Sequence, residues 1–341
     1  MLSFQNDYSS TAAPQILARM QQIQQEQQPG YGVDDYCKAA ADKIVKLCDD
    51  PEAHVWFLVG GTQTNQTVIA SITPQYAGVV CADSGHINTH EAGAIEATGH
   101  KVLALPNEDG KISAAQLDDY CERFYADANH EHMVFPGAVY ISQPTEYGTV
   151  YTLEELEALS QVAHDRRLPL FIDGARLGYA LTSDGNDANL DDIARVADVF
   201  TIGGTKVGAM FGEAVVFTRG NTPTNFTTLV KQHGALLAKG WLLGLQFDTL
   251  FTDDLYFKLS EHANKEADKI RRALTDKGYD VDFVSQTNQI FITVTDKKAA
   301  ELAKHVTLGF MEAVDADHVM LRICTSWATT DEQTAELISY L

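Results

Sequence analysis

The feature that most constrains this chain is an alternation. Between His54 and Thr218, short apolar runs recur, each ending in small, polar or acidic residues, with helical stretches between them. Val55 to Val59 runs into Gly60-Gly61-Thr62, and a helical stretch follows to about Thr73. Gly78 to Cys81, Lys101 to Leu105, Ala138 to Ser142, Leu168 to Asp173, Val199 to Ile202 and Ala214 to Thr218 repeat the pattern. Helices are expected from Ser113 and from Thr152, where Glu155 three residues on completes a capping box. Short buried runs separated by helices predict an α/β fold, with a mainly parallel sheet covered on both faces. Beyond about Phe247 the texture changes. A long amphipathic segment over Thr252 to Lys277 precedes a strand from Gln289 to Val294, a helix from Lys297 to His305, a strand from Val319 to Cys324 and a last helix. This predicts a large domain over 1–248 and a smaller C-terminal α+β domain over 249–341. The six glutamines between Gln21 and Gln28 read as an exposed helix face stopped by Pro29-Gly30.

Composition narrows the function classes. Against 25 basic residues stand 47 acidic ones, a formal charge of −22. That argues against a nucleic-acid binder, which needs clustered Lys and Arg. Five cysteines without a CxxC pair suggest reduced thiols. Met1 to Gln28 has no basic segment followed by an apolar run, and no apolar stretch is long enough to span a bilayer. A cytoplasmic protein with no membrane partner is the expectation.

Four segments carry candidate chemistry. Phe171-Ile-Asp-Gly-Ala-Arg delivers Asp173 to the C-terminal end of a buried strand, the edge at which ligands sit in open α/β sheets. A buried acid there needs a partner, for which a protonated pyridine nitrogen, a helix cap or Arg176 all qualify. Thr201-Ile-Gly-Gly-Thr-Lys-Val-Gly-Ala places Lys206 just beyond another strand, about thirty residues on, as neighbouring βα units would. A desolvated lysine there suits covalent attachment to a carbonyl; a surface lysine in a turn is the plainer reading. Gly60-Gly61-Thr62-Gln63-Thr64-Asn65 joins a strand to a helix N-terminus, where a phosphate is favoured, although small residues are common in such turns. His86 follows the strand ending at Cys81, and its imidazole suits stacking on a flat ring or proton transfer near neutral pH, though a lone histidine is more often structural. No His/Asp/Glu set has convincing metal-ligand spacing, so no metal is expected.

Taken together, these segments resemble the threonine aldolase family, of the low-specificity and phenylserine-aldolase type, in the β-eliminating lyase group of fold-type-I pyridoxal-phosphate enzymes. The resemblance runs from Phe4-Gln-Asn-Asp-Tyr through Gly30-Tyr-Gly-Val-Asp, Ser84-Gly-His-Ile-Asn-Thr-His-Glu-Ala-Gly and Gly203-Gly-Thr-Lys to Arg322-Ile-Cys-Thr-Ser-Trp. It implies that pyridoxal 5′-phosphate is held covalently by Lys206, with Asp173 at its pyridine nitrogen and His86 stacked on its ring. Gly60, Gly61, Thr62 and Asn65 would cup its phosphate, with Thr205 and Arg176 also against the cofactor. Arg322, Arg176 and Asn6 would bind the substrate carboxylate. Asn6-Asp7 stands where many members have Ser-Asp, and Glu146 where many have a histidine, which leaves His86 and Glu146 as competing proton acceptors. The implied reaction cleaves the Cα–Cβ bond of β-hydroxy-α-amino acids to glycine and an aldehyde. β-Elimination, aminotransfer and a non-catalytic cofactor-binding role are the alternatives. The implied partners are a small amino-acid substrate and further copies of the chain, as homodimer or homotetramer, with a Tyr31-Gly32 loop presented to the neighbouring site.

Overall fold

A computed structural model describes residues 2–341. Among the described residues twelve strands form two sheets: β1 (Leu2–Phe4), β2 (His54–Leu58), β3 (Ala77–Ala82), β4 (Val102–Leu105), β5 (Phe135–Ser142), β6 (Leu170–Asp173), β7 (Val199–Gly203), β8 (Glu213–Phe217), β9 (Val281–Asp282), β10 (Gln289–Thr295), β11 (Val306–Ala313) and β12 (His318–Cys324). The larger sheet has the order β2-β8-β7-β6-β5-β3-β4. Its pairs from β4 to β7 are parallel, and β8 runs antiparallel between β7 and β2. It is the mainly parallel sheet expected from the alternation.

Both faces of this sheet are covered, and the two-residue period decides which side chain goes where. Val139, Ile141, Leu170, Ile172, Ala214 and Val216 enter one apolar cluster. Their neighbours Ala138, Tyr140, Phe171, Val215 and Phe217 enter another, together with Val68 and Ile69 of the Gly61–Ile72 helix. Because all positions of β6 and β8 and all but the two end positions of β5 are buried, the sequence shows continuous apolar runs rather than alternation. The helices between strands start as their termini dictate: Thr152 Oγ1 accepts from the Glu155 amide at 3.2 Å, while Glu155 Oε2 accepts from the Thr152 amide at 2.8 Å. Ser113 and Gln116 form the same box.

The smaller sheet has the order β1-β11-β12-β10-β9, with Ile290, Ile292, Leu321 and Ile323 packed against Ile270 and Leu274 of the Leu255–Asp276 helix. Three of its strands, β1, β9 and β11, are not expected from the sequence. β1 is only three residues long and pairs in parallel, Leu2 opposite Val306, so nothing local announces it. It also carries the start of the chain into the sheet built otherwise from the C-terminal segment. The glutamine-rich segment differs from expectation as well. The helix Pro14–Gln22 ends before most of it, Ile23 turns inward, and Tyr36 Oη donates to Glu26 Oε2 at 2.7 Å.

Candidate active site

Strands β5, β6 and β7 end side by side, and a cavity of about 320 Å³ opens over their C-terminal ends. Gly60, Gly61, Thr62, Asn65, His86, Glu146, Asp173, Arg176, Thr205 and Lys206 all line it. Residues more than a hundred positions apart are thus brought together by strand order, the geometry that places ligand sites at this edge of α/β sheets.

Asp173 ends β6, buried on the face that carries Phe171. Its Oδ1 accepts from the Ala175 amide at 2.8 Å, and its Oδ2 accepts from Tyr140 Oη at 2.7 Å and Asn65 Nδ2 at 2.9 Å. All three donors are neutral, and among the described residues no cation forms an ion pair with it. Lys206 follows β7 by three residues. Its Nζ makes no hydrogen bond or ion pair among the described residues, so an amine and an acid in one cavity both stand without a charged partner. Backbone supports the loop that carries the lysine: Tyr179 Oη donates to the Lys206 carbonyl at 2.5 Å, and the Gly212 amide donates to Thr205 Oγ1 at 3.0 Å.

Gly60 caps the helix Gly61–Ile72, and the first intrahelical bond runs from the Thr64 amide to the Gly60 carbonyl at 2.9 Å. The amides ahead of Thr64 are the ones a helix cannot satisfy internally. A Cβ at Gly60 or Gly61 would meet nothing within 4 Å, so this terminus faces open space wide enough for an anion. Asn65 departs from the expected phosphate cup. Its amide spends both hydrogens on carboxylates, at 2.9 Å to Asp173 and 2.8 Å to Glu91 Oε1. Asn65, Val68 and Ile69 share one helix face by their spacing, and that face is turned to the sheet.

The rest of the wall is built around His86. Its Nδ1 lies 2.8 Å from Glu91 Oε1, which assigns the Nδ1 hydrogen to that bond and leaves Nε2 open. Its backbone amide donates to Glu146 Oε1 at 2.9 Å, and Ser142 Oγ donates to the same oxygen at 2.7 Å. Arg176 makes a two-pronged pair with Asp7, Nε to Oδ2 at 2.7 Å and Nη2 to Oδ1 at 3.1 Å. Asn288 Nδ2 donates to Asp7 Oδ2 at 2.9 Å, tying the smaller sheet to this arginine.

Two expected substrate ligands are not brought to the cavity wall. Asn6 uses its amide oxygen to accept from the Tyr8 amide at 3.0 Å and Ser9 Oγ at 2.8 Å, folding a local turn. Arg322 donates from Nη1 to Gln289 Oε1 and from Nη2 to the Gln5 carbonyl, each at 3.1 Å, so it is engaged within the smaller sheet. Asp7, Glu91, Tyr140, Glu213 and Asn288 belong to the site and carried no role in the sequence reading. Two of them had a local signal, Glu91 within the Ser84-to-Gly93 segment and Asp7 within the Phe4-to-Tyr8 segment.

The beta-eliminating lyase family matches residues 4–318. The chain belongs to this family. The lyase is similar to the low specificity L-threonine aldolase of Pseudomonas aeruginosa, 29% identical over 98% of this chain and 95% of that one. It superposes on the threonine aldolase of Leishmania major with a TM-score of 0.96 at 42% identity, covering 99% and 98% of the two chains. Aspartate aminotransferase from Thermus thermophilus shares the fold at a TM-score of 0.71 and 16% identity, covering 100% of this chain and 90% of that one. The fold is that of fold-type-I pyridoxal-phosphate enzymes, and the lyase is pyridoxal-phosphate-dependent. The residues present fit that cofactor: an acid without a cation, an amine without a partner, and an open helix N-terminus face one cavity.

Electrostatics sharpen the picture. Burial pushes the Asp7 carboxyl up, but Arg176, Lys206 and the hydrogen bonds from Arg176 and Asn288 overcome it and hold it at about 2. Burial lowers the Lys206 amine, Arg176 adds to this, and Asp7, Asp173 and Glu213 oppose it. Burial raises Glu146, against the Ser142 and His86 hydrogen bonds. The site thus favours a less charged lysine and a more basic glutamate than water would.

No helix is long and apolar enough to cross a membrane among the described residues, and no cluster there has the makings of a metal site. All five cysteines are buried and unpaired.

Proposed function

We propose that this lyase cleaves the Cα–Cβ bond of β-hydroxy-α-amino acids of the threonine and allo-threonine type, releasing glycine and an aldehyde. The observation that carries the reading is the pairing of an uncommitted Lys206 with a cation-free Asp173 across a cavity that also holds His86 and Glu146. The relatives named as threonine aldolases support it.

Lys206 would hold pyridoxal phosphate through its amine, Asp173 would face the pyridine nitrogen, and the Gly60-Gly61-Thr62 turn would take the phosphate. Thr205 lies beside the lysine on the same wall. When bound, the pyridine ring supplies an electron sink for the pair released from the breaking bond. Asp7 occupies the Nε and Nη2 edge of Arg176, leaving Nη1 to bind and orient the substrate carboxylate. Fixing that end of the substrate sets which bond at Cα is aligned for cleavage. His86 would stack on the ring, its tautomer held by Glu91. Glu146, with its raised proton affinity, takes the proton from the β-hydroxyl. Arg322 and Asn6 act from the rim, through Gln289 and the turn at Tyr8.

We also propose the division of the chain at 248/249, with β1 joined to the C-terminal unit. A homodimer or homotetramer is proposed on the exposed Tyr31 and Val33, 53% and 78% accessible, beside Lys231; light scattering of the active protein reads it, and a single-chain mass refutes it.

Steady-state assays with threonine, allo-threonine and phenylserine test the reaction. Glycine and aldehyde in equal amounts are expected. Ammonia with a keto acid, amino transfer to an added keto acid, or no turnover by cofactor-loaded protein would each replace this reading.

A further inference from the structure

We propose that Glu213 shares a proton with Lys206 and so sets the pH at which this amine becomes a nucleophile. Glu213 acts as a positioning residue for the lysine, and the proposal rests on the reading of Lys206 given above.

Glu213 opens β8, opposite Gly203 of β7 and Leu58 of β2. It continues the sheet face that carries Val215 and Phe217, the face on which Asp173 follows Phe171. It is 5% exposed, it lines the same cavity as Lys206, and its Oε2 is buried with no hydrogen-bond partner. The other acids on this wall or directly behind it are spoken for. Asp7 is committed to Arg176 and Asn288, Asp173 receives three donors, and Glu146 accepts from His86 and Ser142. Among the described residues Glu213 has the Thr205 side chain as its one hydrogen-bond partner, and its Oε2 stays bare.

A buried carboxylate with a bare oxygen is costly unless it meets a cation or takes up a proton. Arg176 is engaged by Asp7, which leaves Lys206 as the cation of this cavity without a partner. Burial acts on the two in opposite senses. It lifts Glu213 to about 8, with Lys206 opposing and Asp173 adding, and it lowers Lys206. The remaining titratable groups around the pair are Arg176, Asp7 and Asp173 toward Lys206, and Tyr256 and Asp173 toward Glu213; Cys324 also feels the lysine. The Tyr256 hydroxyl is fixed by donating to the Gly203 carbonyl at 3.1 Å, and burial keeps both it and Cys324 protonated. The two side chains face one cavity without an ion pair between them, so the step is a proton exchange relayed by solvent in that cavity, with no net consumption of any other reactant. The proton leaves the Nζ ammonium for the Glu213 carboxylate, giving a neutral amine and a carboxylic acid, and returns when the amine is next released.

The test reads Lys206 itself in the full-length protein freed of cofactor. Competitive labelling with acetic anhydride across a pH series, followed by peptide mass analysis, gives the midpoint at which the Lys206 amine becomes reactive. Removing a negative neighbour weakens the amine's hold on its proton. Glu213→Gln is therefore expected to lower that midpoint by about one pH unit. Below both midpoints, Lys206 then labels about tenfold faster at a given pH. Glu213→Asp keeps the charge but shortens the side chain, so its midpoint should fall between the two. An unchanged or raised midpoint in Glu213→Gln overturns the proposal. If that variant fails to fold, Glu213→Asp decides alone: a midpoint identical to the parent protein's overturns it. The label never meets the cofactor, so a failure here is separable from a failure of the Lys206 assignment.

Discussion

Asp173 lines the cavity and Asp7 backs its Arg176; the two buried carboxylates are held in opposite ways. Asp7 meets the Arg176 guanidinium along a two-pronged edge and is held at about 2. Asp173 is surrounded by a tyrosine hydroxyl, a side-chain amide and a backbone amide, and among the described residues no cation forms an ion pair with it. The first arrangement is complete within the protein and joins its two sheets through Asn288. The second is incomplete, because three neutral donors orient an anion without neutralising it. The contrast teaches where the protein finishes its own electrostatics and where it leaves a charge for a ligand to finish.

The comparison breaks most visibly at Asp173. Asp173→Asn preserves shape and removes the charge that would face a pyridinium. Losing the partner of a buried charge costs ~4 kcal/mol, so kcat/KM should fall about a thousandfold while the fold persists. A variant with near-parental kcat/KM would show that Asp173 is an internal structural acid like Asp7. Asp7→Asn should do the reverse. It leaves Arg176 buried and unpaired, so a loss of ~3 kcal/mol in unfolding free energy is expected, measured by denaturant titration. The pH dependence carries the same mark. Asp7 titrates at about 2 in the folded protein against an ordinary value of 3.8, so it contributes stability above that ordinary value and loses it as pH falls through about 2. This acid-sensitive part amounts to ~2 kcal/mol and should be missing from Asp7→Asn; an identical acid limb in both proteins would contradict the pairing. The smallest effect belongs to Asn65→Ala, which removes one donor each from Asp173 and Glu91. Hydrogen bonds to charged groups are worth ~1.5–3 kcal/mol. Activity should therefore drop about ten- to hundredfold, with the affinity for inorganic phosphate at the Gly60-Gly61 turn little changed. A selective loss of phosphate affinity would return Asn65 to the phosphate cup.

The two regions also differ in how far they could be read from residues alone. Asp173 and Lys206 stand at the ends of continuous apolar runs, and strand order in an α/β sheet brings such ends together without further information. The Asp7 region rests on contacts between distant segments. Asp7 reaches Asn288 and Arg176 because β1 joins β11, a three-residue parallel pairing with no local signature. β11 is itself hard to see, since its burial does not alternate cleanly and a register shift falls between Phe310 and Glu312. Arg322 and Asn6 were assigned by motif, and motif does not show that Gln289, Gln5 and the turn at Tyr8 have already engaged them. Asn65 was legible in principle: its spacing to Val68 and Ile69 puts it on the face turned to the sheet, not at the helix terminus.

The most direct measurement is borohydride reduction of the cofactor-loaded lyase followed by peptide mass mapping. The account predicts a pyridoxyl label on Lys206 alone, with loss of visible absorbance, and no label in Lys206→Ala. A label on any other lysine, or a reducible absorbance that survives in Lys206→Ala, would contradict it.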